Sequence, residues 1–153
     1  MAVAPIPAGY HSVTPYLVLE GAAKAIEFYK HAFEAQELLR LPGPDGKIAH
    51  AEIKIGDSPV MLADAGEEFR GPRAFGGTPV SIMIYVEDVD RIFRQALAAG
   101  AKELRPVIDQ FYGDRSGTLV DPFGHVWTVA THIEDVSMDE INRRMAKMMQ
   151  GSE

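Results

Sequence analysis

The chain has 153 residues, of which 46% are hydrophobic and 24% charged, as expected for one soluble globular domain. It contains no Cys, so disulfide frameworks and thiolate chemistry are excluded and a reducing, cytoplasmic location is expected. A net charge of −7 without a basic patch argues against a nucleic-acid partner. No apolar run approaches the roughly 20 residues that cross a bilayer, so no membrane partner is expected.

The first half of the chain predicts one strand, one helix and three further strands. After a β-rich stretch at residues 13–19, apolar residues recur along one face at helical spacing. The turn sequences GPDG and GDS then separate the three later strands. These strands are predicted at residues 35–41, 47–55 and 59–63. The whole pattern is a β-α-β-β-β module that spans about residues 12–64.

The second half repeats this module at an offset of 67 residues, because Thr14 corresponds to Ser81 and 81 − 14 = 67. At that offset Gly46 also matches Gly113, and the change from strand to helix recurs at the same point. The predicted strands are residues 80–86, 102–108, 116–121 and 125–132. Module two therefore covers about residues 80–133. Residues 65–79, which are rich in Gly, Pro and charge, form a linker that could also act as a flap.

A last helix is predicted at about residues 138–149. Ser137 and Glu140 form a capping box, and a stripe of Met and Ile side chains follows at helical spacing. We expect this stripe to pack on the chain's own domain or on a sister subunit. The predicted fold class is therefore α+β, with two β-α-β-β-β modules and a C-terminal helix in a single domain of residues 1–153.

The paired modules resemble the vicinal oxygen chelate superfamily, which includes glyoxalases, bleomycin resistance proteins and extradiol dioxygenases. Within it the chain is most similar to the PhnB-like branch. The resemblance is carried by the segments YLVLEGAAKAIEFYKHAF, HAEIKIGDSPVMLAD and YGDRSGTLVDPFGHVWTVATHIEDVS. It implies that the modules form an incomplete barrel with a small-molecule pocket. It does not imply a reaction, because this scaffold carries many chemistries.

The resemblance also implies where a metal ion would be bound. Glyoxalase-type members place one ligand on the first and one on the fourth strand of each module, which correspond here to Thr14, Met61, Ser81 and Thr128. Divalent cations of this kind prefer imidazole nitrogen and carboxylate oxygen. Hydroxyls and a thioether are poor substitutes. We therefore expect no metal, no cofactor and no glyoxalase I activity.

Strand alternation predicts which other side chains line the pocket. If the fourth-strand positions point inward, the same faces include Tyr16, Met83 and Tyr85, and the third strand of module one adds His50 and Glu52. A His and a Glu two residues apart on one face suit a general base or a partial metal site, so these two are the candidate catalytic groups. The alternative is a polar pair near a strand end.

The loop FYGDR of module two offers a second recognition element. Phe111 and Tyr112 suit stacking on an aromatic ligand, and Arg115 suits a carboxylate or phosphate group. The alternative is a purely structural loop formed by Asp114 and Arg115. The expected ligand is therefore a small molecule that is aromatic or anionic.

Three functions are compatible with this sequence. We favour a small-molecule-binding protein that lacks the glyoxalase-type metal ligands. The alternatives are an enzyme, either metal-free or with a non-standard metal site at His50 and Glu52, and a scaffold that has lost its ligand. A homodimer is expected because the open sheet edges must be covered. The two modules could pair within one chain or between subunits.

Overall fold

The computed structural model describes residues 2–151. Module one forms a four-stranded sheet with one helix packed on it. Its elements are β1 (Tyr16–Leu19), α1 (Ala22–Phe33), β2 (Gln36–Pro42), β3 (Ile48–Ile55) and β4 (Ser58–Asp64). The strand order is β1-β4-β3-β2, in which β1 and β4 are parallel and the other neighbours are antiparallel.

Module two repeats this arrangement. Its elements are β5 (Ser81–Tyr85), α2 (Val89–Ala99), β6 (Lys102–Asp109), β7 (Asp114–Val120) and β8 (Val126–His132). The strand order is β5-β8-β7-β6, again with a parallel pair formed by the first and fourth strands. The predicted fold class is confirmed: two open four-stranded sheets carry helices, and neither closes into a barrel.

Two strands begin more than one residue away from the predicted position. β1 begins at Tyr16 rather than at residue 13, so Thr14 precedes the strand. Pro15, which has no backbone N–H to donate to a ladder, separates the two residues. β7 begins at Asp114 rather than at residue 116, because Asp114 and Arg115 already pair with His132 and Thr131 of β8.

The two modules share one hydrophobic core. α1 packs against α2, and each helix contacts the buried side of its own sheet. Trp127 of β8 contacts two rings of α1: its centroid lies 5.4 Å from that of Tyr29 and 4.8 Å from that of Phe33. Leu17 and Leu19, alternate residues of β1, are buried in this core, whereas no residue of the edge strands β2 and β6 is buried.

A buried carboxylate, that of Asp121, connects the modules through this core. One of its oxygens accepts hydrogen bonds from the Tyr29 hydroxyl at 2.6 Å and from the Trp127 indole at 2.9 Å. The other accepts from the backbone N–H groups of Phe123 and His125, which fixes the DPFG turn. Burial raises the pKa of Tyr29 well above its ordinary value, and the neighbouring Asp121 carboxylate raises it further.

The start of α1 is held by a side chain from outside the helix. Asp64, at the end of β4, accepts hydrogen bonds from the N–H groups of Gly21 and Ala22, both at 2.9 Å. Its other oxygen accepts from the N–H of Ile48 at 2.7 Å. Asp64 thus satisfies two donors that a helix N-terminus leaves unpaired. Burial alone would raise the pKa of Asp64, but the three backbone donors outweigh it and lower that pKa.

The shared core determines which sheet surfaces stay uncovered. We call the sheet sides turned away from the helices the open face of module one and the open face of module two. Because both helices lie in the common core, both open faces point away from it. Within residues 2–151 no strand of one sheet pairs with a strand of the other. A single chain therefore does not join its two open faces into one barrel.

The C-terminal helix, α3 (Met138–Gln150), lies outside this core. The Ser137 hydroxyl accepts a hydrogen bond from the Glu140 N–H at 3.2 Å, as the capping box predicts. None of the described residues of α3 is buried. Arg144 attaches the helix to the body by binding the Glu134 carboxylate and the Phe111 carbonyl. No helix in residues 2–151 is long and apolar enough to cross a membrane.

Candidate functional site: two open sheet faces

The centre of the open face of module one is formed by three neighbouring strands. Met61 on β4 pairs with Tyr16 on β1 and with Glu52 on β3, so these three side chains share one level of the sheet. The Tyr16 side chain is 50% exposed although it lies in the middle of a folded domain. An exposed aromatic ring beside polar groups is a common composition for a ligand surface.

A chain of hydrogen bonds crosses this face above Met61. The Tyr16 hydroxyl lies 2.8 Å from Nδ1 of His50, and Nε2 of His50 lies 3.2 Å from Oε2 of Glu52. The other Glu52 oxygen accepts a hydrogen bond from the Tyr10 hydroxyl. Tyr10 belongs to the segment that precedes β1, so this segment folds back over β3. The structure thus joins the two candidate catalytic residues to Tyr16.

The open face of module two has a different composition. Met83 on β5 pairs with Thr128 on β8, which in turn pairs with Thr118 on β7. The hydroxyls of Thr118 and Thr128 lie 3.0 Å apart and hydrogen-bond to each other. Ser81, at the start of β5, is exposed on the same side. The face is therefore lined by a thioether and neutral hydroxyls at the level where module one has Tyr16, Met61 and Glu52.

A polar cluster lies at one end of this second face. The buried carboxylate of Asp114 accepts a hydrogen bond from the Tyr85 hydroxyl and one from Nδ1 of His132, both at 2.8 Å. Nε2 of His132 lies 2.7 Å from the Asp135 carboxylate. Hydrogen bonds to Asp135 and Asp114 raise the pKa of His132, and the hydrogen bond to Asp114 raises that of Tyr85.

The aromatic side chains of the loop before β7 contact each other, whereas Arg115 points to the other side of the sheet. The rings of Phe111 and Tyr112 pack edge to face with centroids 5.3 Å apart. Because β7 begins at Asp114, alternation sends Asp114 to the open face and Arg115 to the helix side. There the guanidinium binds Asp90 of α2 and Asp109 of β6, with contacts of 2.9 Å. These carboxylates raise the pKa of Arg115. Arg115 thus cross-links α2, β6 and β7 on the helix side of the sheet.

Gly113 allows this loop to pack tightly on the segment that follows β8. Its φ is +107°, and a Cβ added there would lie 2.1 Å from the Glu134 carbonyl oxygen. The Gly113 carbonyl also accepts hydrogen bonds from the N–H groups of Ile133 and Glu134. Gly46, its partner in the repeat, also has a positive φ of +72°, but a Cβ added at Gly46 would have no atom within 4 Å.

The donor set at the four glyoxalase-type positions does not fit a divalent cation. Thr128 already hydrogen-bonds Thr118, Thr14 lies before β1, and Ser81 and Met61 offer only a hydroxyl and a thioether. Such groups leave the charge of a zinc or nickel ion uncompensated. Within residues 2–151 no group of three or more His, Cys, Asp or Glu side chains is arranged to hold a metal ion.

A separate groove of about 670 Å³ lies on the other side of the molecule, between α1 and α2. Phe28 and Phe123 contribute to its walls. Two of its polar side chains are already bound: Gln95 donates to the Ala32 carbonyl, and His31 donates to the Glu27 carbonyl. A side chain that already donates its hydrogen bond to a backbone carbonyl cannot donate the same hydrogen to a ligand. The open faces are therefore the better candidate site.

Comparison with known proteins identifies the family. A sequence profile of the glyoxalase/bleomycin resistance protein/dioxygenase superfamily matches residues 11–129. The chain belongs to this superfamily. An uncharacterized protein of Mycobacterium bovis is 45% identical over 145 residues, which cover 92% of this chain and 95% of that protein. The superfamily resemblance predicted from the sequence is therefore confirmed.

Solved structures of other proteins share the fold. TioX from Micromonospora sp. ML1 is 29% identical, with a TM-score of 0.64 over 84% of this chain and 99% of its own. A PhnB protein from Bacillus cereus is 21% identical, with a TM-score of 0.63 over 79% of this chain and 99% of its own. At that identity the second match supports the fold alone.

Sequence reasoning missed two residues of the candidate site. Tyr10 lies 42 positions from Glu52, and nothing in the sequence pattern indicates that it folds back. The other is Asp114, which strand alternation would have placed on the open face if β7 had been predicted to begin there, so the missing signal was the strand boundary. His132 lies on the same face as Thr128, as alternation along the predicted last strand indicates.

Proposed function

We propose that this protein binds a small molecule, aromatic or anionic, on its open sheet faces. The observation that carries the proposal is the exposure of Tyr16 and Tyr85, at 50% and 62%, each beside a hydrogen-bonded polar cluster. Aromatic surface provides binding energy by burial, and the polar clusters provide direction. A second function, that of an enzyme, is favoured by the hydrogen-bonded pair of His50 and Glu52.

The proposed partner is a second copy of the chain, with the module-one open face of one copy meeting the module-two open face of the other. Both faces point away from the core of their own chain, so neither forms a closed pocket alone. The edge strands β2 and β6 expose large apolar side chains, among them Leu41 and Leu104. Uncovered edges of this kind favour association, and two-fold assembly is the commonest solution. Such a dimer would complete the site with residues from both copies.

Ligand binding is tested with 1-anilinonaphthalene-8-sulfonate, a dye that is both aromatic and anionic. We expect saturable fluorescence enhancement in the wild type and its loss in the double variant Tyr16→Ala/Tyr85→Ala. Phe75→Ala is the matched control, because Phe75 is also an exposed aromatic residue but lies in the linker. Equal dye binding by the wild type and the double variant would contradict the proposal.

The dimer is tested by light scattering at micromolar concentration. We expect twice the monomer mass for the wild type and the monomer mass for Leu41→Glu/Leu104→Glu. Phe69→Glu, which alters an exposed apolar residue of the linker, should stay dimeric. A monomeric wild-type protein would contradict this part of the proposal.

A further inference from the structure

The series of hydrogen bonds that joins Tyr16, His50 and Glu52 on the open face of module one runs from an exposed end to a buried end. Glu52 is buried, with 9% of its surface exposed, the His50 side chain is 25% exposed, and Tyr16 is 50% exposed. The Glu52 end is covered by Tyr10, whereas the Tyr16 end opens onto the face where a ligand would lie. A proton that moves along this chain therefore meets a ligand at the Tyr16 oxygen.

The two hydrogen-bond partners of His50, which are Glu52 and Tyr16, determine its tautomer. A carboxylate can only accept a hydrogen bond, so the His50 nitrogen that faces Glu52, Nε2, carries the hydrogen. In the neutral imidazole the other nitrogen, Nδ1, then has a lone pair. Nδ1 lies 2.8 Å from the Tyr16 hydroxyl, which must donate to it. Tyr10 donates to the second Glu52 oxygen and so holds that carboxylate in place.

We propose that Tyr16, His50 and Glu52 form a proton relay, and that Tyr16 exchanges a proton with a weakly acidic O–H group of the bound ligand, such as a phenol or an enol. The ligand O–H proton passes to the Tyr16 oxygen as the Tyr16 proton passes to Nδ1 of His50. The products are a ligand oxyanion and an imidazolium that lies beside the Glu52 carboxylate. No electron is gained or lost, and the reverse transfer restores the starting state. Tyr16 is then the catalytic residue, while Glu52 acts through His50 as a positioning residue.

The relay residues occur in module one only, and the equivalent positions of module two carry other residues. At the same sheet level of module two, Met83 stands where module one has Tyr16, and Thr118 where it has Glu52. On β3 of module one, His50 lies two residues before Glu52. On β7 of module two, the residue two before Thr118 is Ser116, so the place of His50 is taken by a serine. A structural need of the fold would apply to both sheets, so the relay points to a role in the site itself. The proposal rests on the proposed ligand binding.

The tautomer gives a test that needs no ligand. Long-range ¹H–¹⁵N NMR spectra of the histidine rings should show His50 with hydrogen on Nε2 and a lone pair on Nδ1. Two residues in the same spectrum serve as references, since His125 donates through Nε2 to the Val18 carbonyl and His31 donates through Nδ1 to the Glu27 carbonyl. Glu52→Gln should remove the preference for the Nε2–H form. Hydrogen on Nδ1 of His50 in the wild type would overturn the relay.

Proton exchange with a ligand is tested with 4-nitrophenol, whose oxyanion absorbs visible light. At a pH below that at which the free compound ionises, the bound compound should be ionised by the wild type. Tyr16→Phe and His50→Gln should lose most of the bound nitrophenolate, whereas Phe75→Ala should retain it. Equal ionisation by the wild type and His50→Gln would overturn the relay, and so would failure of 4-nitrophenol to bind a protein that binds the dye. Failure of both compounds to bind would instead contradict the proposed function.

Discussion

The hydroxyl of Tyr29 in module one donates a 2.6 Å hydrogen bond to the carboxylate of Asp121 in module two. Both residues are buried in the core that the modules share. Asp121 also accepts from the Trp127 indole and from two backbone N–H groups of the DPFG turn. This single carboxylate therefore fixes a turn, orients the indole and connects the two repeats.

Loss of this connection should destabilise the whole domain. We expect Tyr29→Phe to lower the free energy of unfolding by about 1.5–3 kcal/mol, the usual contribution of a buried hydrogen bond to a charged group. Tyr112→Phe is the matched control and should change it by less than about 0.5 kcal/mol, because Tyr112 is exposed. Urea denaturation followed by Trp fluorescence measures both. Equal stabilities of the two variants would contradict the assigned role of Asp121.

Acid should remove the contribution of Asp64. Its folded-state pKa is lowered below the ordinary value of 3.8, so its stabilising effect is complete above that value and is lost as the pH falls through the folded-state pKa. We expect Asp64→Asn to be less stable than the wild type by about 1–3 kcal/mol at neutral pH. The difference should shrink below the ordinary pKa of Asp. A stability difference between Asp64→Asn and the wild type that persists in acid would count against this account.

His132 should titrate above the ordinary histidine value of 6.5, because Asp135 and Asp114 stabilise its charged form. The pairing stabilises the folded state below the ordinary pKa, and this contribution is lost as the pH rises through the raised folded-state pKa. NMR titration should show that Asp135→Asn lowers the pKa of His132 and that Asp139→Asn leaves it unchanged. A wild-type His132 that titrates at or below the ordinary value would refute the assignment.

Arg115 should matter for stability and not for ligand binding. Arg115→Met removes its bonds to Asp90 and Asp109. Since the side chain is partly exposed, we expect only a small loss in the free energy of unfolding. Affinity for the anionic dye should not change. A marked fall in dye affinity with unchanged stability would return Arg115 to the ligand site.

Protein purified without added metal should contain no stoichiometric zinc, nickel or iron, because hydroxyls and a thioether do not compensate a divalent charge. Elemental analysis measures this directly. Near-stoichiometric metal that is lost in Thr128→Ala or Ser81→Ala, but kept in His50→Ala, would contradict the expectation. Metal that is lost in His50→Ala would instead indicate a non-standard site at His50 and Glu52.

The sequence predicted the fold because periodicity is a local signal. The change from alternation to helical spacing after Glu20 recurs after Glu87, and that repeat identified the modules. Alternation also separated the two faces of each strand, as on β3, where His50 and Glu52 lie opposite Ala51 and Ile53.

The contacts of the candidate site depend on distant parts of the chain and were not predictable. No local pattern indicates that Tyr10 reaches Glu52, or that α1 and α2 meet and leave both open faces uncovered. β7 begins two residues earlier than predicted, so Arg115 lies within a strand and on its helix side, where the sequence indicated a loop. A strand boundary therefore decides on which face such a side chain lies.

Gly46 and Gly113 occupy equivalent places in the repeat but tolerate replacement differently. Both have a positive φ, but only the +72° of Gly46 lies close to the left-handed region that Asn or Asp adopts at modest cost. Open space surrounds Gly46, so substitution there meets only the backbone preference, whereas any side chain at Gly113 would collide with the Glu134 carbonyl. In a library that randomises both codons, position 46 should accept Asn and Asp, while position 113 should return only Gly. The repeat thus uses glycine at the same place twice, once for backbone conformation and once for lack of room.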